Sequence, residues 1–244
     1  MVAWGKTDTG LMRKLNQDAF FIDLIGEDRA AVCVVCDGMG GAAAGEIASS
    51  LGAAAFVEGI KERIKPGLNK KELQQIAQEA AGEANREVYE KSMSDEACGG
   101  MGTTLVAVVV ADENAVVLNI GDSRAYEISG GGIVKLTTDH SVVEDMIRKG
   151  DITPLEAKKH PRKNLITRAI GTDSEVQSDV YNVKVKQGSY ILLCSDGLTN
   201  MVEEQEILYE VMHSPEKEAV CQRLIDLANS RGGRDNITVV LIEL

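Results

Sequence analysis

Several apolar, strand-like runs in this chain are bounded by an aspartate that lies beside small or amide residues. Asp37 and Asp196 each close such a run, Asp235 opens one, and Asp18 precedes one. The runs predict buried strands, so each carboxylate should lie at the rim of a sheet. A carboxylate there contributes little to packing, and several brought together repel one another unless a metal ion neutralises them. The sequence therefore predicts a sheet-rich fold with a cluster of oxygen ligands at its rim.

The order of the apolar patterns predicts an α+β fold in which strands alternate with pairs of helices. The helices are expected at about 43–65, 69–92, 203–212 and 215–230. Pro66-Gly67 leaves only a short connection between the first two helices, so these should lie antiparallel. A doubly wound parallel fold would instead alternate single strands with single helices. We predict one domain over residues 1–244 with mostly antiparallel sheets.

The charge of the chain limits its partners. It carries 38 Asp and Glu against 26 Lys and Arg, a formal net charge of −12, which argues against nucleic acid as the main partner. No apolar run reaches the ~18 residues of a membrane helix, and the first residues lack the apolar core of a signal peptide. We expect a cytoplasmic protein with no membrane partner, and a monomer.

The cysteines do not suggest a disulfide framework, because the chain has an odd number of them, five in 244 residues. Cys33 and Cys36 have the C-x-x-C spacing that can indicate zinc or redox chemistry. They lie within a strand-like run, however, and positions i and i+3 of a strand point to opposite faces. We predict that they are buried structural cysteines.

The aspartates suit a hard cation, because Mg²⁺ and Mn²⁺ prefer carboxylate, carbonyl and water oxygens. A glycine follows Asp37 and Asp196, which would let the backbone turn sharply and bring the Gly38 carbonyl near an ion. Two ions about 3.5–4 Å apart can share a water, lower its pKa and hold it in line with a phosphorus atom. The guanidinium of Arg13 offers bidentate contacts to a phosphate. A lone Asp-Gly usually marks a turn, but the combination predicts phosphoester hydrolysis.

These pieces belong to an ordered set of short motifs. The set comprises Arg13–Asp18, Asp37–Gly41, Gly102–Thr104, Asn119–Arg124, Asp139–Ser141, Ser195–Leu198 and Gly233–Thr238. In this order, and over nearly the whole chain, it closely resembles the metal-dependent (type 2C) protein phosphatases, especially the compact bacterial Ser/Thr phosphatases. The resemblance implies a four-layer αββα sandwich of two antiparallel β-sheets flanked by antiparallel helix pairs, in agreement with the pattern above.

The resemblance also implies roles for individual residues in the metal site. Asp37 would bridge two metal ions. Asp196 and Asp235 would bind one of these ions and the Gly38 carbonyl the other, while Asp18 would hold metal-bound waters.

Further implications concern the substrate. Arg13 would bind the substrate phosphate, Asp122 with Asp196 would hold a third ion, and the segment from Ser141 to about Lys163 would form a mobile flap that tunes substrate choice. The implied reaction is hydrolysis of phosphoserine and phosphothreonine in proteins by a hydroxide that bridges two Mn²⁺ or Mg²⁺ ions. Bacterial members often oppose a Ser/Thr kinase, so a cognate kinase is an expected partner.

Two other motifs favour structural interpretations. Thr103 and Thr104 could suggest a threonine nucleophile, but a bridging hydroxide makes one unnecessary, so we predict the start of a strand. His140 follows Asp139 in a loop, where a hydrogen-bonded histidine is expected more often than a catalytic one.

Ala42 departs from the family pattern, because bacterial relatives usually carry a histidine at this position, close to the metal centre. Such a histidine is a candidate general acid for the departing alkoxide, a role typically worth ~10²–10⁴-fold in rate. Replacing Ala42 with histidine should therefore raise turnover of an alkyl phosphate such as phosphoserine more than that of an aryl phosphate, whose leaving group needs less protonation. Steady-state kinetics on both substrates check this, and equal gains would remove the general-acid explanation.

Two alternative functions remain open at this point. A scaffold of the same fold with little catalysis would explain Ala42, and it would tolerate Asp37→Asn. A metal hydrolase acting on nucleotides or small phosphoesters would prefer ATP to a phosphothreonine peptide, although the chain has no P-loop motif of the G-x-x-x-x-G-K-S/T type.

Overall fold

The computed structural model describes residues 1–26, 29–41 and 43–244. Its strands are β1 (Val2–Asp8), β2 (Asp18–Ile25), β3 (Ala30–Met39), β4 (Gly102–Thr103), β5 (Leu105–Ala111), β6 (Asn114–Ile120), β7 (Arg124–Ser129), β8 (Gly132–Lys135), β9 (Asp179–Lys184), β10 (Tyr190–Cys194) and β11 (Ile237–Glu243). Its helices are α1 (Ala44–Lys61), α2 (Lys70–Ser94), α3 (Val142–Lys149), α4 (Pro154–Ala157), α5 (Asp196–Thr199), α6 (Glu204–His213) and α7 (Val220–Ser230), with 3₁₀ turns at Glu96–Cys98 and Lys217–Ala219.

The strands form two antiparallel sheets. One sheet has the order β1-β11-β10-β7-β8, and the other has the order β2-β3-β5-β6-β9, with β4 beside the end of β3. The pairing of β2 with β3 places Asp18 directly opposite Asp37. The register of the second sheet therefore brings the first two predicted ligands together at one edge.

Apolar clusters divide the molecule into four layers. One cluster joins α1 and α2 to the outer face of the second sheet, through residues such as Phe56 and Leu73. Another joins α6 and α7 to the outer face of the first sheet, through residues such as Ile207 and Leu224. A third lies between the sheets. The predicted αββα sandwich of antiparallel sheets is confirmed.

Strand β5 shows why this arrangement follows from the sequence. All its residues are buried. Leu105 and Val109 point to the helix-covered face, while Val106 and Val108 point between the sheets. A strand that is covered on both faces needs an uninterrupted apolar run rather than an alternating one.

The cysteine prediction is also confirmed. Cys33 packs between the two sheets, and Cys36 packs against the helices on the opposite face. All five cysteines are free and buried. The two sulfurs of the C-x-x-C pair therefore cannot hold one ion together.

Helix boundaries differ from the prediction at two places. The first helix ends at Lys61 rather than near residue 65. The last helix was expected to begin at Pro215, and this was wrong: the segment forms a 3₁₀ turn, α7 begins at Val220, and the Ser214 hydroxyl donates to the Glu216 carbonyl. No helix in the described part of the chain is long and apolar enough to cross a membrane.

Candidate active site

Asp18 is held at the edge between the two sheets. Its Oδ2 accepts hydrogen bonds from the Ser195 and Thr238 hydroxyls, both at 2.7 Å. The Thr238 backbone N–H in turn donates to Ser195 Oγ at 3.0 Å. These contacts join β2 of one sheet to β10 and β11 of the other. The Asp18 side chain is therefore fixed by residues more than 170 positions away in sequence.

Asn236 holds the segment that precedes Asp18 in place. Its side chain donates to the Thr9 and Leu15 carbonyls at 2.9 Å each and accepts from the Gln17 N–H at 2.8 Å. This clamp fastens the segment that carries Arg13 against the start of β11. Asp235, the residue before Asn236, thereby comes to lie beside Arg13.

A cavity of about 300 Å³ collects most of the predicted residues. Its wall includes Arg13, Asp37, Gly38, Asp122, Asp196 and Asp235. Asp18 does not line it, but pairs with Asp37 in the register of the sheet just behind it. Three loops, the end of β3 and the start of α5 thus bring one arginine and four aspartates to a single cavity.

Other residues of this wall had no predicted role. Gln17, Thr104 and Asn236 lay inside the motifs, but their hydrogen bonds depend on loops that pack together only in the fold. Asn164 and Ile166 come from the segment just after the predicted flap. No residue pattern in the sequence distinguished these two, because their position depends on how that segment folds back over the sheet.

The backbone conformation at Gly38 differs from the prediction. A sharp turn after Asp37 was expected, and this was wrong: β3 continues to Met39 without a turn. A Cβ at Gly38 would instead collide with the carbonyl of Gly45 in α1. Glycine is needed here because α1 approaches the backbone closely, and the Gly38 N–H donates to the Gln17 carbonyl at 3.0 Å.

Burial, and after it mutual repulsion, disfavours the charged forms of these carboxylates. Burial raises the pKa of Asp18 to about 7, although its two hydroxyl partners act in the opposite direction. Burial, with the neighbouring charges of Asp196 and Asp139, raises the pKa of Asp122 to about 7. The pKa of Asp37 is raised well above its ordinary range, first by burial and then by Asp18 and Asp196. A cation would relieve this repulsion.

The donor set fits a hard divalent ion in its chemistry. All the candidate donors are oxygens, and Asp18 Oδ1 is buried without a hydrogen-bond partner. In this geometry, however, no group of three or more His, Cys, Asp and Glu over residues 1–26, 29–41 and 43–244 is arranged to hold an ion. Asp196 Oδ2 accepts from Asn200 at 2.9 Å and Asp235 Oδ2 from Arg13 at 2.8 Å. These two carboxylates line the shared cavity, but each has one oxygen bound to a protein partner.

Arg13 lies at the mouth of the cavity, half-exposed. Its hydrogen bond to Asp235 raises the pKa of the guanidinium. One Nη2–H is used by Asp235, and the other donors of the planar guanidinium remain available to a phosphate. The phosphate-binding role of Arg13 stays a prediction.

The two structural interpretations are supported by the hydrogen bonds. Thr104 Oγ1 accepts from the Asp37 N–H, and Thr103 Oγ1 donates to the Asp37 carbonyl. The imidazole of His140 contacts Gly121 and Asp179, and burial lowers its pKa. Ala42, the position of the missing general acid, lies outside the described residues.

A second cavity of about 340 Å³ lies beneath α3 and α4. It shares Asp122, Asn164 and Asp196 with the first cavity. Its remaining wall comes from the predicted flap, from α5 and the start of α6, and from Arg124, Lys135 and Asp139. The two cavities therefore meet at the residues expected to hold a third ion.

Comparison with known proteins agrees with this geometry. The family described as Protein phosphatase 2C matches residues 12–227. The serine/threonine phosphatase stp of Listeria monocytogenes is 39% identical over 241 residues, which cover 98% of this chain and 94% of that protein. The crystal structure of the serine/threonine phosphatase Stp1 from Staphylococcus aureus matches with a TM-score of 0.91 at 33% identity, over 99% of this chain and 94% of that one.

A further structure shows a metal-bound relative. It is the catalytic domain of the serine threonine protein phosphatase PstP in complex with 2 manganese ions, and it matches with a TM-score of 0.85 at 33% identity over 99% of this chain and 97% of that one. The motifs, the sandwich of two sheets and these matches agree along the whole chain. The chain therefore belongs to the protein phosphatase 2C family, among its bacterial serine/threonine phosphatases.

Proposed function

We propose that this metal-dependent protein-serine/threonine phosphatase works through the carboxylates of the first cavity. Asp37, Asp196 and Asp235, with the Gly38 carbonyl, would hold two divalent ions. The observation that carries the proposal is the convergence of Asp37, Asp122, Asp196 and Asp235 on one cavity with Arg13 at its mouth. Repulsion among these four carboxylates destabilises the fold, and bound cations would offset that loss of stability.

When bound, the ions supply positive charge for the phosphoryl oxygens and a water of lowered pKa. The other roles fall to the chain itself. Arg13 would orient the substrate phosphate with its free N–H groups. Asp18, fixed by Ser195 and Thr238, would present its unpaired Oδ1 to a water and hold it in place.

In the part of the chain that the structure describes, the hydroxyls of Thr103, Thr104 and Ser195 are all engaged in hydrogen bonds. Ser195 is buried, donates to Asp18 and accepts from the Thr238 N–H. The Thr103 hydroxyl donates to the Asp37 carbonyl, and the Thr104 hydroxyl pairs with Ser123. These bonds support direct attack by water over a phosphoenzyme route.

Several finer assignments belong to the same proposal. Asp122 with Asp196 would hold a third ion, since both line the two adjoining cavities. The segment 141–163, which carries α3 and α4, would act as the flap over the second cavity. Mn²⁺ or Mg²⁺ as the ion, an opposing Ser/Thr kinase, a monomeric state, a cytoplasmic location and a single domain over residues 1–244 remain predictions.

Metal removal and substrate comparison test the proposal. Hydrolysis of a phosphothreonine peptide should disappear in EDTA and return with excess Mn²⁺, because the repelling carboxylates cannot act on phosphate alone. Phosphate release from the peptide and from ATP is measured in parallel. Turnover that persists without metal would contradict the mechanism, and faster release from ATP would favour a nucleotide hydrolase.

A further inference from the structure

Asp122 lies in the three-residue turn between β6 and β7, and the dipeptide Asp139-His140 binds the residues on both sides of Asp122. At the far end, the Arg124 guanidinium donates to both Asp139 oxygens, with Nη2 to Oδ2 at 2.6 Å. At the near end, the His140 N–H donates to the Gly121 carbonyl at 2.9 Å. The Gly121 N–H donates to His140 Nδ1 at 3.1 Å.

The double contact at Gly121 fixes the tautomer of His140. A backbone N–H is always a donor, so Nδ1 must accept and the ring hydrogen lies on Nε2. Nε2 is 3.2 Å from Asp179 Oδ2, to which it donates. Arg168 Nη1 lies near the same nitrogen and donates to Asp179 Oδ1 at 2.9 Å. The imidazole is therefore locked from both sides, and it is only 6% exposed.

Gly121 needs such a clamp because its backbone is unusual. Its φ of +107° lies in the left-handed region, and a Cβ there would lie 2.6 Å from the Thr104 side chain. Glycine adopts this conformation freely and also leaves it freely. Two hydrogen bonds from one buried residue remove that freedom directly before Asp122.

We propose that His140 is a positioning residue that orients Asp122 towards its ion. The inference rests on the proposed third-ion role of Asp122. His140 touches neither substrate nor ion in this role; it acts through the backbone of Gly121. Residues that orient a metal ligand typically affect ion affinity 10–100-fold when they are exchanged.

Two substitutions separate the two sides of the imidazole. H140N keeps an acceptor near the position of Nδ1 and loses the donor to Asp179. H140Q can reach Asp179 but cannot also accept from Gly121.

The full chain is titrated with Mn²⁺ in a binding isotherm without substrate and in a phosphothreonine-peptide assay, with thermal unfolding followed alongside. H213Q, at an exposed histidine of α6, is the matched control, and D179N removes the outer partner alone.

H140Q should weaken binding of the weakest Mn²⁺ ion about 10-fold, while H140N, D179N and H213Q stay near wild type. If H140Q does not fold, H140S, which reaches neither partner, is expected to behave in the same way. Equal shifts in H140N and H140Q, or no shift in either, would overturn the positioning role. A wild-type chain without any Mn²⁺-dependent hydrolysis would instead contradict the proposed function.

Discussion

Replacing Asp37 with asparagine should lower kcat/KM for a phosphothreonine peptide by more than about 100-fold, since even residues that only orient a ligand typically contribute 10–100-fold. Burial is the main cause of the raised pKa of Asp37. Four neighbouring carboxylates raise it further, those of Asp18, Asp196, Asp122 and Asp235. An amide of nearly the same shape keeps the strand intact but cannot bridge two cations. Phosphate release at saturating Mn²⁺ measures the loss.

The same substitution should leave the fold intact and raise the stability of the chelator-treated protein at neutral pH, because it removes one repelling charge. Asp23→Asn is the matched control. Asp23 lies on β2 like Asp18, but pairs with Lys61 at 3.2 Å, outside the site, and its loss should leave kcat/KM unchanged. Retained activity in the Asp37 variant would point to a different metal site. A variant that loses both activity and the folded structure would show that Asp37 is needed for packing.

The second large effect concerns stability and pH. In EDTA, the free energy of unfolding should fall as the pH rises from about 4 to about 7. The pKa values of Asp18 and Asp122 are raised to about 7 in the folded chain, whereas an aspartate in the unfolded chain titrates near 3.9. Between these values the folded state binds more protons, so stability is full below the unfolded pKa and is lost as the pH rises through the folded pKa.

Each unit of pKa shift corresponds to about 1.4 kcal/mol, so several kcal/mol should be lost across this window. The contribution of Glu206 to the pH dependence of stability has the opposite sign, because its hydrogen bond with Arg231 lowers its pKa to about 2. This contribution is lost only as the pH falls below the ordinary pKa of glutamate. Urea unfolding in EDTA at several pH values measures the slope, and saturating Mn²⁺ should reverse it by binding the ionised carboxylates. A metal-free protein that is equally stable at pH 5 and pH 8 would refute the claim that these carboxylates repel one another in the fold.

The sequence was a good guide to the elements that depend on local patterns. The second helix was expected to begin near residue 69, and Asn69 caps it in a capping box with Glu72. The Cys33 and Cys36 spacing was interpreted correctly from strand geometry alone. Local patterns were less reliable where the chain leaves regular structure. The helix predicted from Pro215 begins at Val220, and α5 over Asp196–Thr199 was not predicted.

Which residues reach the candidate site was apparent from the sequence: Asp37, Asp196 and Asp235 flank apolar strands, and the structure brings them to one cavity. How they are held was decided by the tertiary structure. The bond from Ser195 to Asp18, the clamp of Asn236 on the Arg13 segment and the grip of His140 on Gly121 join residues from 19 to more than 200 positions apart. Such contacts depend on the packing of two sheets and on side-chain geometry, and periodicity along one chain carries no information about either.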